Sequence, residues 1–132
     1  MVLALFDLDN TLLDGDSDHA WGHYLAEIGA VDKGLHENKQ DEFYQQYVTG
    51  NLNITEFLEF QLLPLTKYPL EQLYQWRDDF LQTIIQPMIA TGKTELIEKH
   101  RNSNDTLVII TATNDFITRP IADLLGVEIL IA

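Results

Sequence analysis

The sequence predicts an α/β fold: a Rossmann-like parallel sheet, three of whose strands are present, with a helical-bundle cap inserted after the first strand. Three observations carry this expectation. Residues 2–6, 107–110 and 127–131 are short, largely apolar runs, the pattern of strands buried in a parallel sheet. Residues 15–86 read almost wholly as helix. Between the second and third runs lies one further helical segment, the kind of crossover that parallel strands require.

The elements follow in order. The first strand ends in the carboxylate of Asp7. Asp16 or Ser17 can cap a helix through Trp21, Tyr24, Leu25 and Ile28, which Gly29 ends. A segment near residues 41–48 places Phe43, Tyr44 and Tyr47 together and stops at Gly50. Asn53 with Glu56 forms a capping-box pattern that opens a helix over residues 54–63. Pro69, at a first helical position, starts a run through Leu70, Leu73, Trp76, Phe80 and Ile84, and Pro87 closes it. These helices are expected to pack through their aromatic side chains.

Thr91 or Gly92 then opens a short helix with Leu96 and Ile97 inside. Lys99, His100 and Arg101 lie in its last turn, where cations suit the helix dipole. Asn104-Asp105 is a turn before the second strand. Pro120 lacks a donor, so the next helix is expected to begin properly near Arg119, with residues 114–118 as an irregular lip, and to end at Gly126. The expected organisation is a discontinuous core, residues 1–14 and 87–132, and a cap, residues 15–86.

Composition narrows the function. The chain has 132 residues, 45% of them apolar, enough for one core with an insertion. A net charge of −13 argues against a nucleic-acid partner and against an anionic membrane surface. It argues equally against simple attraction of a phosphorylated substrate, so a phosphate site here needs a cation and local donors. There are no cysteines, which excludes disulfides and thiolate metal sites. Asp7 interrupts the apolar start too early for a signal peptide or a membrane span, so no membrane partner and a cytoplasmic location are expected.

Two motifs carry chemistry. Asp7-Leu8-Asp9-Asn10-Thr11 follows the first strand directly, and ligands bind at that end of open α/β sheets. Two carboxylates one residue apart suit a nucleophile beside an acid/base; an Asx-type turn is the alternative, disfavoured because the five-residue pattern is specific when a strand precedes it. Ile110-Thr111-Ala112-Thr113-Asn114 puts hydroxyls where the second strand gives way to a helix, a junction that suits anions and also an ordinary helix cap.

The five-residue pattern Asp-x-Asp-x-Thr after a strand resembles the first motif of the haloacid dehalogenase superfamily. With the second motif and the helical insertion, the chain is similar to the phosphoserine-phosphatase-like branch. That resemblance implies a Mg²⁺-dependent phosphomonoester hydrolase acting on a small phosphorylated metabolite, phosphoserine or another amino-alcohol phosphate. It implies Asp7 as the nucleophile that forms a phosphoaspartyl intermediate, and Asp9 as general acid/base. Asp7, the Leu8 carbonyl and Asp9, the last through water, would hold Mg²⁺. Thr111 would bind the phosphoryl group, with Thr11 and Ala112 beside it. Asp16, nine positions after the nucleophile, stands where that branch has a glutamate that meets the substrate's amino group. The chemistry agrees: a carboxylate attacks a phosphate dianion only when a hard cation offsets their repulsion.

The family's phosphate-binding lysine and its downstream acidic pair belong after the third strand, and the sequence ends at Ala132. Lys93 precedes the second motif, and Asp78-Asp79 lies inside the insertion on an expected solvated face. Impaired turnover is therefore expected, as is self-association through the exposed edge of the first strand. Arg77 is a candidate for a substrate carboxylate. His19 and His23, spaced i, i+4, lack an evident third metal ligand. Thr113, Asn114 and Asp115 lie at the mouth, with capping as their main expected role. A non-catalytic phosphate-binding or regulatory remnant is the alternative. A phosphoryl-accepting signalling module is disfavoured by the long insertion.

Overall fold

The computed structural model describes residues 2–132. Its backbone forms two compact units, Met1–Ala20 with Arg77–Ala132, and Trp21–Trp76.

The first unit holds the sheet. Strands β1 (Leu3–Asp7), β2 (Thr106–Ile110) and β3 (Ile129–Ile131) are parallel and lie in the order β1-β2-β3. Leu5 pairs with Val108 and Val108 with Ile129, so side chains in one row share a face. Helix α6 (Lys93–Asn102) precedes β2, and helix α7 (Asp115–Leu124) links β2 to β3. With strands in sequential order, right-handed crossovers put both helices on one face. Ala4, Phe6 and Ile109 are buried on that face, and Phe6 meets the His100 ring of α6 edge-on at 5.8 Å. Ile97, Ile117, Ile121, Ala122 and Val127 complete the core.

The opposite face is only partly covered: Val108, in the row of Leu5 and Ile129, is buried at its centre. Leu3, Leu5, Ile110, Ile129 and Ile131 are exposed there, Leu3 by 58% and Leu5 by 57%. Burial on both faces, expected from the unbroken apolar run of β1, is therefore not what this strand meets.

Beyond β1, a wide turn over Leu8–Leu12 closes with Leu13 N–H donating to the Leu8 carbonyl at 3.0 Å. Asn10 takes a left-handed conformation, φ +58°, which its short polar side chain tolerates. Leu8, Leu12 and Leu13 are fully buried and anchor the turn. The returning chain clasps it, with Ala90 N–H donating to the Leu12 carbonyl at 2.9 Å.

Three expected boundaries move. Helix α4 (Leu70–Phe80) continues through a π-type stretch, Leu81–Ile85, into one last turn, α5 (Gln86–Met88). Pro87 therefore does not close the run: it falls at the start of α5, where a missing N–H breaks no bond of that turn. Helix α7 is regular from Asp115, with the Asn114 side chain accepting from Ile117 N–H at 3.2 Å. Pro120 leaves the Phe116 carbonyl without its helical donor, and Arg77 Nη1 supplies one at 3.0 Å. The same guanidinium lies 4.7 Å from the centre of the Phe116 ring. The third strand starts at Ile129 rather than Val127, because Arg119 takes the Val127 and Glu128 carbonyls at 2.9 and 3.0 Å.

The second unit is helical. Helices α1 (Ser17–Glu27), α2 (Lys33–Val48) and α3 (Ile54–Lys67) lead to α4. Helix α2 starts well before residue 41, because the Asp32 side chain caps it through Leu35 N–H at 2.9 Å. Asn53 caps α3 through Glu56 N–H at 3.2 Å, and α3 runs past Leu63 and through Pro64. Phe43 is buried against Phe57 and Phe60, each ring centre 5.4 Å away. Tyr44 and Tyr47 do not join it and are 63% and 69% exposed. A neighbour on a helix lies about a hundred degrees round from Phe43, and Tyr47 sits in the last, exposed turn. Gly22 lets α1 approach α2, since a Cβ there would stand 2.8 Å from the His36 ring.

Candidate active site

The tips of β1 and β2 bring the two motifs together. Asp7 ends β1 in register with Ile110, the last residue of β2, so Thr111 leaves the sheet beside it. The Asp7 carboxylate is exposed and accepts one bond, from the Thr11 hydroxyl at 3.1 Å. Thr11 is thus the neighbour that orients Asp7.

Asp9 has a contrasting environment. Its Oδ1 accepts from Ser17 N–H at 2.7 Å and from the Ser17 hydroxyl at 2.6 Å. Its Oδ2 accepts from the Thr113 hydroxyl at 2.8 Å and the Thr111 hydroxyl at 3.3 Å. The Thr111 oxygen in turn accepts from Thr113 N–H at 3.1 Å, and Thr111 N–H continues the sheet onto the Ile131 carbonyl at 2.9 Å. Ser17, Thr111 and Thr113 are all buried. A motif separated by about a hundred residues therefore converges on one carboxylate.

Asp16 is exposed and caps α1, its Oδ1 accepting from His19 N–H at 2.9 Å. Asp18, one residue into that helix, has its pKa pushed up from 3.8 to about 6, first by burial and then by the negative charges of Asp16 and Asp9. Ala112 is exposed between the two threonines. Arg77 is committed to Phe116, as described above. Lys93 is the first residue of α6, and Asp78 and Asp79 face outward on α4. His23 lies 3.8 Å from Glu27 on an exposed surface. Among the described residues no group of three or more His, Asp or Glu side chains forms a cation cage.

Sequence reasoning missed Ser17 and Thr113 as partners of Asp9. Ser17 read only as a possible cap, and nothing in the spacing reveals that the residue it serves lies eight positions upstream. A groove of about 700 Å³, bounded by Thr94, Glu98, Arg101, Asp123 and Gly126, lies between α6 and α7 and contains none of the motif residues. No helix among the described residues is long and apolar enough to cross a membrane.

Comparison with known proteins identifies the family of this fold. A family model for haloacid dehalogenase-like hydrolases matches residues 4–132. A histidinol-phosphatase from Neisseria meningitidis serogroup C (strain 8013) is 41% identical over 125 residues, covering 95% of this chain and 56% of the relative. The crystal structure of a protein of unknown function from Bordetella pertussis Tohama I superposes with a TM-score of 0.91 at 37% identity, over 98% of this chain and 59% of that one. A phosphoserine phosphohydrolase-like protein from Francisella tularensis subsp. tularensis SCHU S4 shares the fold, with a TM-score of 0.69 at 19% identity over 100% of this chain and 58% of that one. The chain thus spans little more than half the length of these relatives.

Proposed function

The chain belongs to the haloacid dehalogenase-like hydrolases, and on that premise we propose that it forms part of a phosphomonoester hydrolase. Its nucleophile is Asp7 and its acid/base is Asp9. The observation that carries this reading is the convergence of Asp7, Asp9 and Thr111 on one end of the sheet, one carboxylate exposed beside the Thr11 hydroxyl and the other held on both oxygens.

In this proposal an Asp7 oxygen attacks phosphorus, the bond from phosphorus to the ester oxygen breaks, and Asp9 gives its proton to the departing alkoxide. Water then attacks the phosphorus of the aspartyl phosphate and gives a proton to Asp9. Inorganic phosphate leaves, the Asp7 carboxylate is restored, and Asp9 is protonated again. The Thr111 hydroxyl and the exposed backbone beside Ala112 bind phosphoryl oxygens. Thr11 keeps the Asp7 carboxylate oriented.

The exposed Asp7 carboxylate and the Leu8 carbonyl are hard oxygen donors, which suit Mg²⁺ that keeps several waters. Bound there, Mg²⁺ would offset the repulsion between Asp7 and the phosphate dianion. Asp9 has both oxygens engaged, so its part in holding the ion is through water. So small a protein donor set supports slow turnover by this chain.

The substrate class we propose is an amino-alcohol phosphate. The Neisseria relative is a histidinol-phosphatase, and histidinol phosphate has an amine beside its phosphate ester. Asp16, exposed next to the motif turn, is the candidate partner for that ammonium. The uncovered edge of β1 and the exposed Leu3 and Leu5 support self-association as well, which a solution mass measured on dilution tests.

The function is tested by following phosphate release from an aryl phosphate and from histidinol phosphate with Mg²⁺. Wild type is expected to release phosphate, and Asp7→Asn to fall to background. Equal rates in the two proteins would reduce the site to phosphate binding without hydrolysis.

A further inference from the structure

We infer that Ser17 and Thr113 are positioning residues that divide the labour of the Asp9 carboxylate. Ser17 anchors Oδ1, and Oδ2, on the threonine side, is the oxygen through which the proton moves. The inference rests on the acid/base role proposed for Asp9.

A carboxylate offers about four acceptor positions, and here Ser17, Thr111 and Thr113 fill four. An acid/base cannot work with every position filled, so one donor must yield. The distances say which. Ser17 gives Oδ1 two short bonds, 2.7 and 2.6 Å, one from its backbone, and is fully buried. It has no room to turn away, and its N–H is fixed by α1. On Oδ2 the Thr113 bond is 2.8 Å, but the Thr111 bond is 3.3 Å, the longest of the four. Bonds of that length are weak. The Thr111 hydroxyl is therefore the donor that swings to a phosphoryl oxygen, and its departure frees a position on Oδ2.

The geometry has a second consequence. Asp9 takes the first N–H of α1, a group that otherwise needs a cap at the helix start. The carboxylate is thereby tied to the opening turn of the inserted helices. Substitutions at Ser17 should therefore act on proton transfer rather than on phosphate binding.

The test uses the whole chain and two esters. 4-Nitrophenol leaves as a stable anion and needs no proton, whereas the glycerol of glycerol 2-phosphate does. Ser17→Ala and the isosteric Thr113→Val are each expected to lower kcat/KM on glycerol 2-phosphate by about tenfold or more. The fall in kcat/KM on 4-nitrophenyl phosphate should be much smaller, since kcat/KM reports only the steps up to leaving-group departure, and Thr113→Ser should restore the ratio. Equal losses on both esters, or none, would overturn the proposal. A second arm needs no activity. Amide hydrogen exchange at Ser17 is expected to quicken about tenfold or more in Asp9→Ala, while Val108 and Ile109 in β2 stay protected and report an intact fold. Unchanged exchange at Ser17 overturns the anchoring whatever the kinetics show. If wild type hydrolyses neither ester but exchange responds, the hydrolase reading fails while the anchoring stands and the proton-transfer assignment falls with the enzyme.

Discussion

The two faces of the sheet are built from the same kinds of residues and have opposite surroundings. Ala4, Phe6 and Ile109 point at α6 and α7 and are nearly closed to solvent, whereas Leu3, Leu5, Ile129 and Ile131 on the other face stand open. Apolar character therefore contributes to stability mainly on one side, with Val108 the buried exception on the other, because the gain comes from surface removed from water. At the rim where strands end, the balance shifts again: Asp7, Asp9, Asp16 and Asp18 fall within one twelve-residue stretch, and burial of Asp18 costs stability.

The contrast is sharpest at matched truncations. Ile109→Ala on the covered face should destabilise by about 2–5 kcal/mol in urea unfolding, since it leaves a cavity in a packed layer. Leu5→Ala on the more open face should change stability by only about 0.5 kcal/mol. Similar losses at the two positions would mean that something covers Leu5 in solution.

Asp18 is expected to give the next largest effect, and with the opposite sign. Between its ordinary value of 3.8 and its folded value of about 6, the folded chain keeps a proton that the unfolded chain has released. Its penalty is therefore full near neutral pH, shrinks as pH falls through about 6, and is gone below about 4. Asp18→Asn should stabilise by up to about 3 kcal/mol at pH 7, with the gain vanishing towards pH 4. A difference between the two proteins that does not vary with pH would remove burial of this carboxylate from the comparison.

A smaller effect than that of Asp18 is expected at the lip. Asn114→Ala removes the cap of α7 and should cost about 1 kcal/mol, read as a lower urea midpoint. A loss several times larger would mean that Asn114 holds the Thr111–Thr113 turn as well as the helix.

Much of the molecule was legible in advance for identifiable reasons. Short apolar runs separated by helical spacing gave the strands and their parallel sense. Asn53 with Glu56 marked a helix start because its cap is local in sequence. The placement of Asp7 at a strand tip followed from the run that precedes it. What escaped was non-local. Pro120 read as a helix breaker, because nothing in its neighbourhood shows that Arg77, more than forty positions earlier, replaces the missing donor. Arg77 itself read as a candidate ligand for substrate for the same reason. Tyr44 and Tyr47 read as core because their spacing does not say where α2 begins or where its buried stripe ends.

The sequence by itself determined the strand-end carboxylates and the helical insertion, since each depends on residues adjacent in the chain. Tertiary structure alone decided which face of the sheet is covered and which side chains hold Asp9. Both depend on crossover handedness and on contacts between residues far apart in the chain, and local periodicity carries no record of either.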